Sequence, residues 1–567
     1  MQNNQNNQNH DRFYLLLFAL IAFNLTWLNT EVLWDEDEGA YAGIIFNMVK
    51  TGDWVLPNFD WSTIHRKTPF HFWASAISCK LLNFNEFAFR LPGVLAILTT
   101  IFSLYALTKS IIGKKTATHA ALILGASFFV PHLAKIALTD GWLLLFQTLA
   151  FLAMLNQVYA PHRRWAILLW GSVALGVLTK GPPIVITVGG AWVFCWIFLP
   201  KHRRALNALH PWFGFPLALL PFALWIYATI QRDGGAFAQF LLDWYVLNRV
   251  TSSVLGQTGP IGYHLLVMFI SFLPFLPFLP SAFLQVFREA RQRDTFAVVA
   301  TAWLAFGWLF FELMTSKLPS YSLAAQPVLA ILVARKLDTL DTEGVKKLEK
   351  IASIFWIILG SALSIALLVA IKLFAFKSQS VSNQLIMSAL PTSLFLIIPP
   401  IVGTVAIFRQ QVQRIFPIML AMGIGTIFTA WVFIMPLVDK LPIKATRQVM
   451  EEAREMADFD TPLRICVNEM GLRQPSLVFY GVTKFRDCRV EENIKNLRTV
   501  WQSNKKMLIV TDSTQAEIFT NWLNEVGKNT PESRQINFWD TDDKLATKVY
   551  FILKNYNSNG LGGANDN

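Results

Sequence analysis

The sequence predicts a polytopic α-helical membrane protein of about thirteen transmembrane helices with a C-terminal soluble α/β domain. Three observations carry that expectation. Hydrophobic residues make up 54% of the 567 and charged residues only 15%, against about 25% charged in a soluble protein. Thirteen apolar stretches approach the roughly 20 residues that a span needs, at about 13–33, 88–108, 117–135, 141–159, 165–179, 182–199, 211–230, 262–285, 295–313, 319–335, 351–371, 385–408 and 415–437. Basic residues gather in alternate connections between them. Counted from an inside N-terminus, eighteen Lys and Arg fall in the inner loops, from Lys109 to Arg414, against about eleven in outer loops twice as long. This is the positive-inside pattern, and it accounts for the net charge of +12 better than nucleic-acid binding does.

The order of elements follows. Residues 1–11 are Asn/Gln-rich and predicted to be disordered. The first stretch is read as a retained span, because no small-residue cleavage site precedes the acidic run after it. The membrane domain occupies 12–437, and its first outer loop, 34–87, is too long for a connector. Within that loop Tyr41, Ile44, Ile45, Met48 and Val49 recur at helical spacing up to Thr51-Gly52-Asp53. A second such helix begins at Pro69 and runs through Phe70, Phe72, Trp73, Ile77 and Leu81. Both are expected to lie along the membrane interface. An odd number of spans sends the remaining domain, 438–567, to the extracytoplasmic side. That domain reads as helices at Ile443–Ala457 and Thr514–Val526 with strands at Leu463–Val467, Leu477–Gly481, Met507–Thr511 and Val549–Leu553. Cys466 and Cys488 both fall there and leave a disulfide open. Cys79 and Cys195 read as small core hydrophobes, and no Cys/His metal site is spelled out.

The chemistry-bearing residues map to one side of this topology. Trp34-Asp35-Glu36-Asp37-Glu38-Gly39 places four carboxylates at the outer lip of the first span, costly near hydrocarbon without a partner or a task. Asp35 and Glu36 read as solvated surface acids; Asp37 and Glu38 read as a helix cap or as functional acids. Lys67 lies in the same loop. Asp140 stands at the turn before span four, Lys180 at the turn before span six, Arg249 in the loop 231–261, and Lys317 and Tyr321 in Ser316-Lys317-Leu318-Pro319-Ser320-Tyr321. Taken singly each has a plain reading, a snorkelling lysine or a capping aspartate. Taken together, carboxylates and fixed cations at a membrane surface suit a lipid phosphate. A carboxylate beside it would accept a proton or hold a divalent ion.

Several motifs resemble a known family. Asp37-Glu38-Gly39-Ala40-Tyr41-Ala42, Gly52-Asp53-Trp54, Pro57, Lys67-Thr68-Pro69, Arg90-Leu91-Pro92, Leu138-Thr139-Asp140, Leu178-Thr179-Lys180-Gly181-Pro182 and Ser316 to Tyr321 look like the signatures of the lipid A aminoarabinose transferases and their protein O-mannosyltransferase relatives. These are membrane glycosyltransferases of the GT-C fold. The resemblance implies an inverting, polyprenyl-phosphate-sugar-dependent transferase of the cell inner membrane, active at its outer face, with membrane lipids around it. The acceptor would be a glycolipid, a glycan or a protein hydroxyl. It implies catalytic roles for Asp37, Glu38 and Asp140, donor-phosphate binding by Lys67, Arg249 and Lys180, and a cavity with Tyr41, Lys317 and Tyr321. The chain departs from the family at Thr68, where a proline is usual, and at Gly256-Gln257-Thr258-Gly259-Pro260, where a His-rich turn is common. No metal is carried over to that turn. The rival readings are a lipid or glycan flippase and a non-catalytic scaffold. A flippase should show an internal repeat and ionisable residues at mid-membrane, whereas these charges gather at one edge and no repeat is evident.

Overall fold

The computed structural model describes Val32 to Lys554, omitting 36, 59–65, 248–257, 375–378, 442–443, 467–474, 492–496, 499–500, 502–505, 527–530 and 541–545; of the first 31 residues only Leu16 and Ala19 are described. The predicted first span therefore lies outside the described residues, as does Arg249. The chain divides into two compact units. One comprises 1–28, 67–74 and 90–435; the other comprises 29–66, 75–89 and 436–567.

The first unit is a helical membrane bundle. Among the described residues seven helices are long and apolar enough to cross a bilayer, or nine if two sharply bent pairs each count as one span. The bent pairs are Pro183–Phe198 with Pro200–Asn207, at 108°, and Tyr263–Ser271 with Leu273–Arg291, at 102°. The other predicted stretches are shorter or more polar. The stretch 117–135 is divided between Lys114–Ala126 and Phe129–Leu133, and 319–335 opens as a 3-10 turn, Pro319–Ala325, before Gln326–Glu343. Helices adjacent in sequence pack in pairs, among them Thr139–Tyr159 against Arg163–Lys180 and Lys347–Phe374 against Gln379–Phe408. The core is aromatic where helices cross: Trp303 stacks on Phe151 at 4.6 Å and its indole N–H donates to the Ala324 carbonyl. Large apolar side chains also point outward, Trp212 at 89% exposure being the extreme. On a spanning helix such a surface belongs in hydrocarbon rather than in water.

The second unit holds the helix Asp37–Thr51 and a five-stranded sheet. That helix starts with two acids, which suit the positive end of its dipole, and ends at Gly52, whose φ of +72° closes it. Its predicted amphipathicity is not what is found. Tyr41, Ile44, Ile45 and Met48 are buried, but so are Glu38, Gly39, Ala40, Ala42 and Gly43, so the helix is enclosed on most sides and packs against Ser476–Lys484. The strands are β1 Leu463–Cys466, β2 Cys488–Val490, β3 Leu508–Asp512, β4 Glu532–Asp540 and β5 Ala546–Lys554, in the order β2-β1-β3-β5-β4. β1 is parallel to β2 and β3, whereas β5 is antiparallel to β3 and β4.

Three strands and both helices fall on the predicted runs, but Leu477–Gly481 is part of the helix Ser476–Lys484. A short apolar run fits a buried strand and a buried helix equally by periodicity, and here it supplies the crossover between two parallel strands, which needs a helix. Cys466 and Cys488 are unbonded and buried, and burial pushes both thiols up to about 12. In parallel register Leu463, not Cys466, lies opposite Cys488, so the two sulfurs are not presented to each other.

Candidate functional site

The clearest constellation lies in the membrane unit, where several of the predicted residues meet. The helix Arg163–Lys180 ends at Gly181, which adopts φ +73°, and two prolines then launch Pro183–Phe198. Lys180 is therefore the last residue of its helix, where a cation meets the negative end of the dipole. Its Nζ lies 2.7 Å from Asp140 Oδ1, with the two side chains 18% and 10% exposed. Asp140 sits in the first turn of Thr139–Tyr159, but its carboxylate goes to Lys180 and the Ser320 hydroxyl, with Lys67 also within electrostatic reach. The Lys180 ammonium lies 6.0 Å from the centre of the Tyr321 ring, within range for a cation–π contact. Tyr321 is in turn flanked by the rings of Phe311 at 5.6 Å and His264 at 6.1 Å.

Beside this group opens a cavity of about 680 Å³. Lys67 and Lys180 are the cations among its lining, and nearly all of the rest is apolar. Phe215, Leu219, Phe222 and Ile226 come from Pro211–Asp233, Val185 and Ile186 from Pro183–Phe198, and Leu241 and Leu242 from Ala236–Leu242. Lys67 reaches the cavity because the residues after it are pinned. Pro69 accepts from the Trp73 amide, and the Phe70 ring meets Trp142 at 5.0 Å and Phe146 at 5.3 Å. A long apolar trough with two fixed cations can hold an amphiphile bearing an anionic head, and the Asp140–Lys180 pair keeps one of those cations oriented.

Lys317 has a different environment. It is 5% exposed, lies 3.8 Å from Glu312 Oε1, and donates to the Glu312 carbonyl. Glu312 also accepts from the Gly262 amide at 2.8 Å and from the Trp308 indole at 3.0 Å, with His264 Nδ1 at 3.6 Å. The sequence reading missed Glu312 and His264. A signal was present: Glu312 is an ionisable residue at the edge of the apolar stretch 295–313.

The acidic run belongs to the other unit. Asp37 is exposed at the first residue of its helix. Glu38 is 0% exposed, and its Oε2 accepts from the Trp34 amide at 2.8 Å, so it closes the helix start. Tyr41 is 0% exposed, inside the core of this unit. Asp35, read from sequence as a surface acid, is instead bonded: its carboxylate accepts from the Ser476 amide at 2.9 Å and the Ser476 hydroxyl at 2.5 Å. Glu36 lies outside the described residues. Among the described residues no group of three or more His, Cys, Asp or Glu is arranged to hold a metal ion.

Comparisons with known proteins agree on one relationship. The sequence profile of a family described as dolichyl-phosphate-mannose-protein mannosyltransferase matches residues 66–227. An undecaprenyl phosphate-α-4-amino-4-deoxy-L-arabinose arabinosyl transferase of Wigglesworthia glossinidia brevipalpis is 25% identical over 368 residues, 64% of this chain and 65% of the relative. The protein of the same description in Pseudomonas aeruginosa is 29% identical over 336 residues, 57% of this chain and 59% of that one. An uncharacterized protein of Aquifex aeolicus is 25% identical over 61% of this chain and 68% of its own length. The chain thus matches 59–68% of the length of these relatives. Among solved structures, the crystal structure of ArnT from Cupriavidus metallidurans bound to undecaprenyl phosphate superposes with a TM-score of 0.70 at 19% identity, covering 96% of this chain and 98% of that one. Its apo state gives 0.72.

Proposed function

We propose that this chain, a multi-pass membrane protein that belongs with the GT-C membrane glycosyltransferases, moves a sugar from a polyprenyl-phosphate carrier to an acceptor at the outer face of the inner membrane. The observation that carries this reading is the apolar cavity of about 680 Å³ with Lys67 and Lys180 in its lining and Asp140 bonded to Lys180. A polyprenyl tail fits the trough, and its phosphate fits the lysines. The relatives' descriptions, which name undecaprenyl phosphate and aminoarabinose, support the same donor class. The full count of thirteen spans, which rests on the apolar stretches, and an outer face for 34–87 with an extracytoplasmic domain at 438–567, which rest on the distribution of basic residues, belong to this proposal.

In the proposed reaction an acceptor oxygen attacks the anomeric carbon as the bond from that carbon to the phosphate oxygen breaks. Polyprenyl phosphate leaves with the electron pair. Lys67 and Lys180, joined by Arg249 from its loop, stabilise the charge that develops on the departing phosphate. The displacement is single, so the anomeric centre inverts and no covalent sugar–enzyme intermediate forms. Asp37, exposed and first in its helix, takes the proton if the acceptor is a hydroxyl. With a phosphate acceptor there is no proton to remove, and Asp37 then orients the acceptor or an amino group of the sugar. Asp140 keeps Lys180 aimed, and Tyr321 borders that ammonium.

The test is transfer by purified protein from undecaprenyl-phosphate-linked sugars to lipid A, a glycan and a hydroxyl-bearing peptide, followed by mass spectrometry. Wild-type protein should form one glycosylated product and release undecaprenyl phosphate. Asp37→Asn should lower turnover by about 10²–10⁴-fold while the protein stays folded. Near-normal turnover by that variant would sink the assignment of Asp37, and movement of intact donor between leaflets without bond cleavage would favour the flippase reading.

A further inference from the structure

We infer that Asp35 and Ser476 form a latch through which the sheet-bearing part of the chain fixes the segment carrying Asp37, making both positioning residues for transfer. The inference rests on the role proposed for Asp37. It is drawn from contacts that lie wholly within one unit.

Residues 32–35 have little regular structure of their own, since the helix begins only at Asp37. Residues more than 400 positions later hold them at successive points. The Leu33 amide donates to the Tyr480 hydroxyl at 2.9 Å. Lys444 donates to the Val32 carbonyl at 3.1 Å, and its ammonium lies 3.8 Å from the centre of the Trp34 ring. Asp35 takes two bonds from Ser476, one from the amide and one from the hydroxyl. Ser476 is 0% exposed and its oxygen is also 2.8 Å from the Thr446 hydroxyl.

Two features show that the latch is shaped for this carboxylate. Ser476 opens the helix Ser476–Lys484, so its amide is one of the N-terminal donors without a partner inside the helix. Asp35 caps that helix from a distant part of the chain, and a half-buried carboxylate bonded to such a donor is held more strongly than a neutral cap. Gly39 faces the same point. A Cβ there would lie 2.0 Å from Asp35 Oδ1 and 2.7 Å from the Ser476 nitrogen, so only glycine leaves room for the carboxylate. Asp37 stands two residues after the latched acid and two before this glycine. Its position therefore depends on a hydrogen bond supplied by the C-terminal part of the chain. Misplacement of about 1 Å in a reacting group costs on the order of 100-fold in rate, enough to make the latch matter for turnover.

The experiment uses the full-length protein in detergent or nanodiscs, with Ser476→Ala, Ser476→Thr, Asp35→Asn and Tyr480→Phe. With undecaprenyl-phosphate-linked aminoarabinose and lipid A as probes, Ser476→Ala and Asp35→Asn should each lower kcat by about 10–100-fold with the donor KM unchanged. The double variant should be no worse than either single one, and Ser476→Thr should restore most of the rate. Hydrogen–deuterium exchange should show faster exchange over 33–41 in Ser476→Ala than in wild type, with the rest of the chain unchanged. Tyr480→Phe, which removes only one hydroxyl, gives a milder version of both effects if Ser476→Ala does not fold. Full turnover together with unchanged exchange over 33–41 in the Ser476 and Tyr480 variants would overturn the latch. If wild-type protein transfers no sugar, the proposed function fails, and the exchange measurement alone still decides whether the latch exists.

Discussion

Two turns of the membrane unit have nearly the same sequence and different surroundings. Thr179-Lys180-Gly181-Pro182 and Ser316-Lys317-Leu318-Pro319 each follow an apolar helix with a hydroxyl residue, a lysine, one spacer and a proline. Lys180 ends its helix, and the glycine after it turns the chain away, which leaves the ammonium beside a cavity and paired with a carboxylate from another helix. Lys317 stands five residues after Glu312 with no such turn between them. It folds back onto the carbonyls that end its own helix and onto the Glu312 side chain, where it is buried. The lesson is that a lysine's use is set by what its backbone lets it reach. The residue type is the same and its neighbours differ chiefly in glycine against leucine, yet one ammonium faces a ligand-sized space and the other completes a buried network.

Substitutions can break or sharpen that contrast. The largest effect is expected at Lys180→Ala: turnover per folded molecule should fall by about 10²–10³-fold, with a smaller drop in melting temperature than at Lys317, measured on purified protein with an undecaprenyl-phosphate sugar. A comparable loss from Asp140→Asn, without additivity in the double variant, would show that the pair works as one device. Lys317→Met should act on stability instead. Removing one partner of a buried pair costs about 3–5 kcal/mol, visible as a lower melting temperature, while the molecules that remain folded keep most of their turnover. Adding Glu312→Gln should recover part of that loss. If Lys317→Met instead abolished transfer with full stability, the distinction between the two turns would collapse. Lys67→Ala is expected to be milder, lowering kcat/KM for the donor by about tenfold, as for loss of one charged hydrogen bond.

The smallest effect lies outside the membrane. Burial alone would raise the Asp487 carboxyl, but hydrogen bonds and charge from Arg464, 3.0 Å away, and from Arg489 hold it below the ordinary aspartate range. A depressed carboxylate contributes stability that is present above its unfolded pKa of about 3.9 and is lost as pH falls through its folded value. Thermal melting of the sheet-bearing unit should therefore weaken below about pH 4, and Asp487→Asn should flatten that slope.

The helical membrane class was legible because long apolar stretches are written in composition. Helix ends were legible where chemistry forces them, as at Lys180-Gly181-Pro182 and Thr51-Gly52. Partner choice was less so. Asp140 was found as a residue, but its reach to Lys180, forty positions away, is tertiary. Asp35 was read as a solvated acid because its partner Ser476 is 441 positions off, and no local pattern announces such a bond. Leu477–Gly481 was read as a strand because five apolar residues fit either conformation, and only the parallel order of β1 and β2 selects the helix. Glu312 and His264 were overlooked because attention fell on charges in the loops, although an acid at the rim of a span was itself a sign.

The cavity has one further consequence. Phe215, Leu219, Phe222 and Ile226 come from Pro211–Asp233, whose apolar stretch is only 22% buried within the protein. A wall made by a helix so little buried within the protein brings the trough close to the lipid that such a helix would face. On the proposed function the donor would then arrive sideways, by diffusion in two dimensions, without crossing water. Its availability is set by its mole fraction among neighbouring lipids, so a Michaelis constant quoted in molar units would change with the amount of detergent or lipid while the enzyme stayed the same.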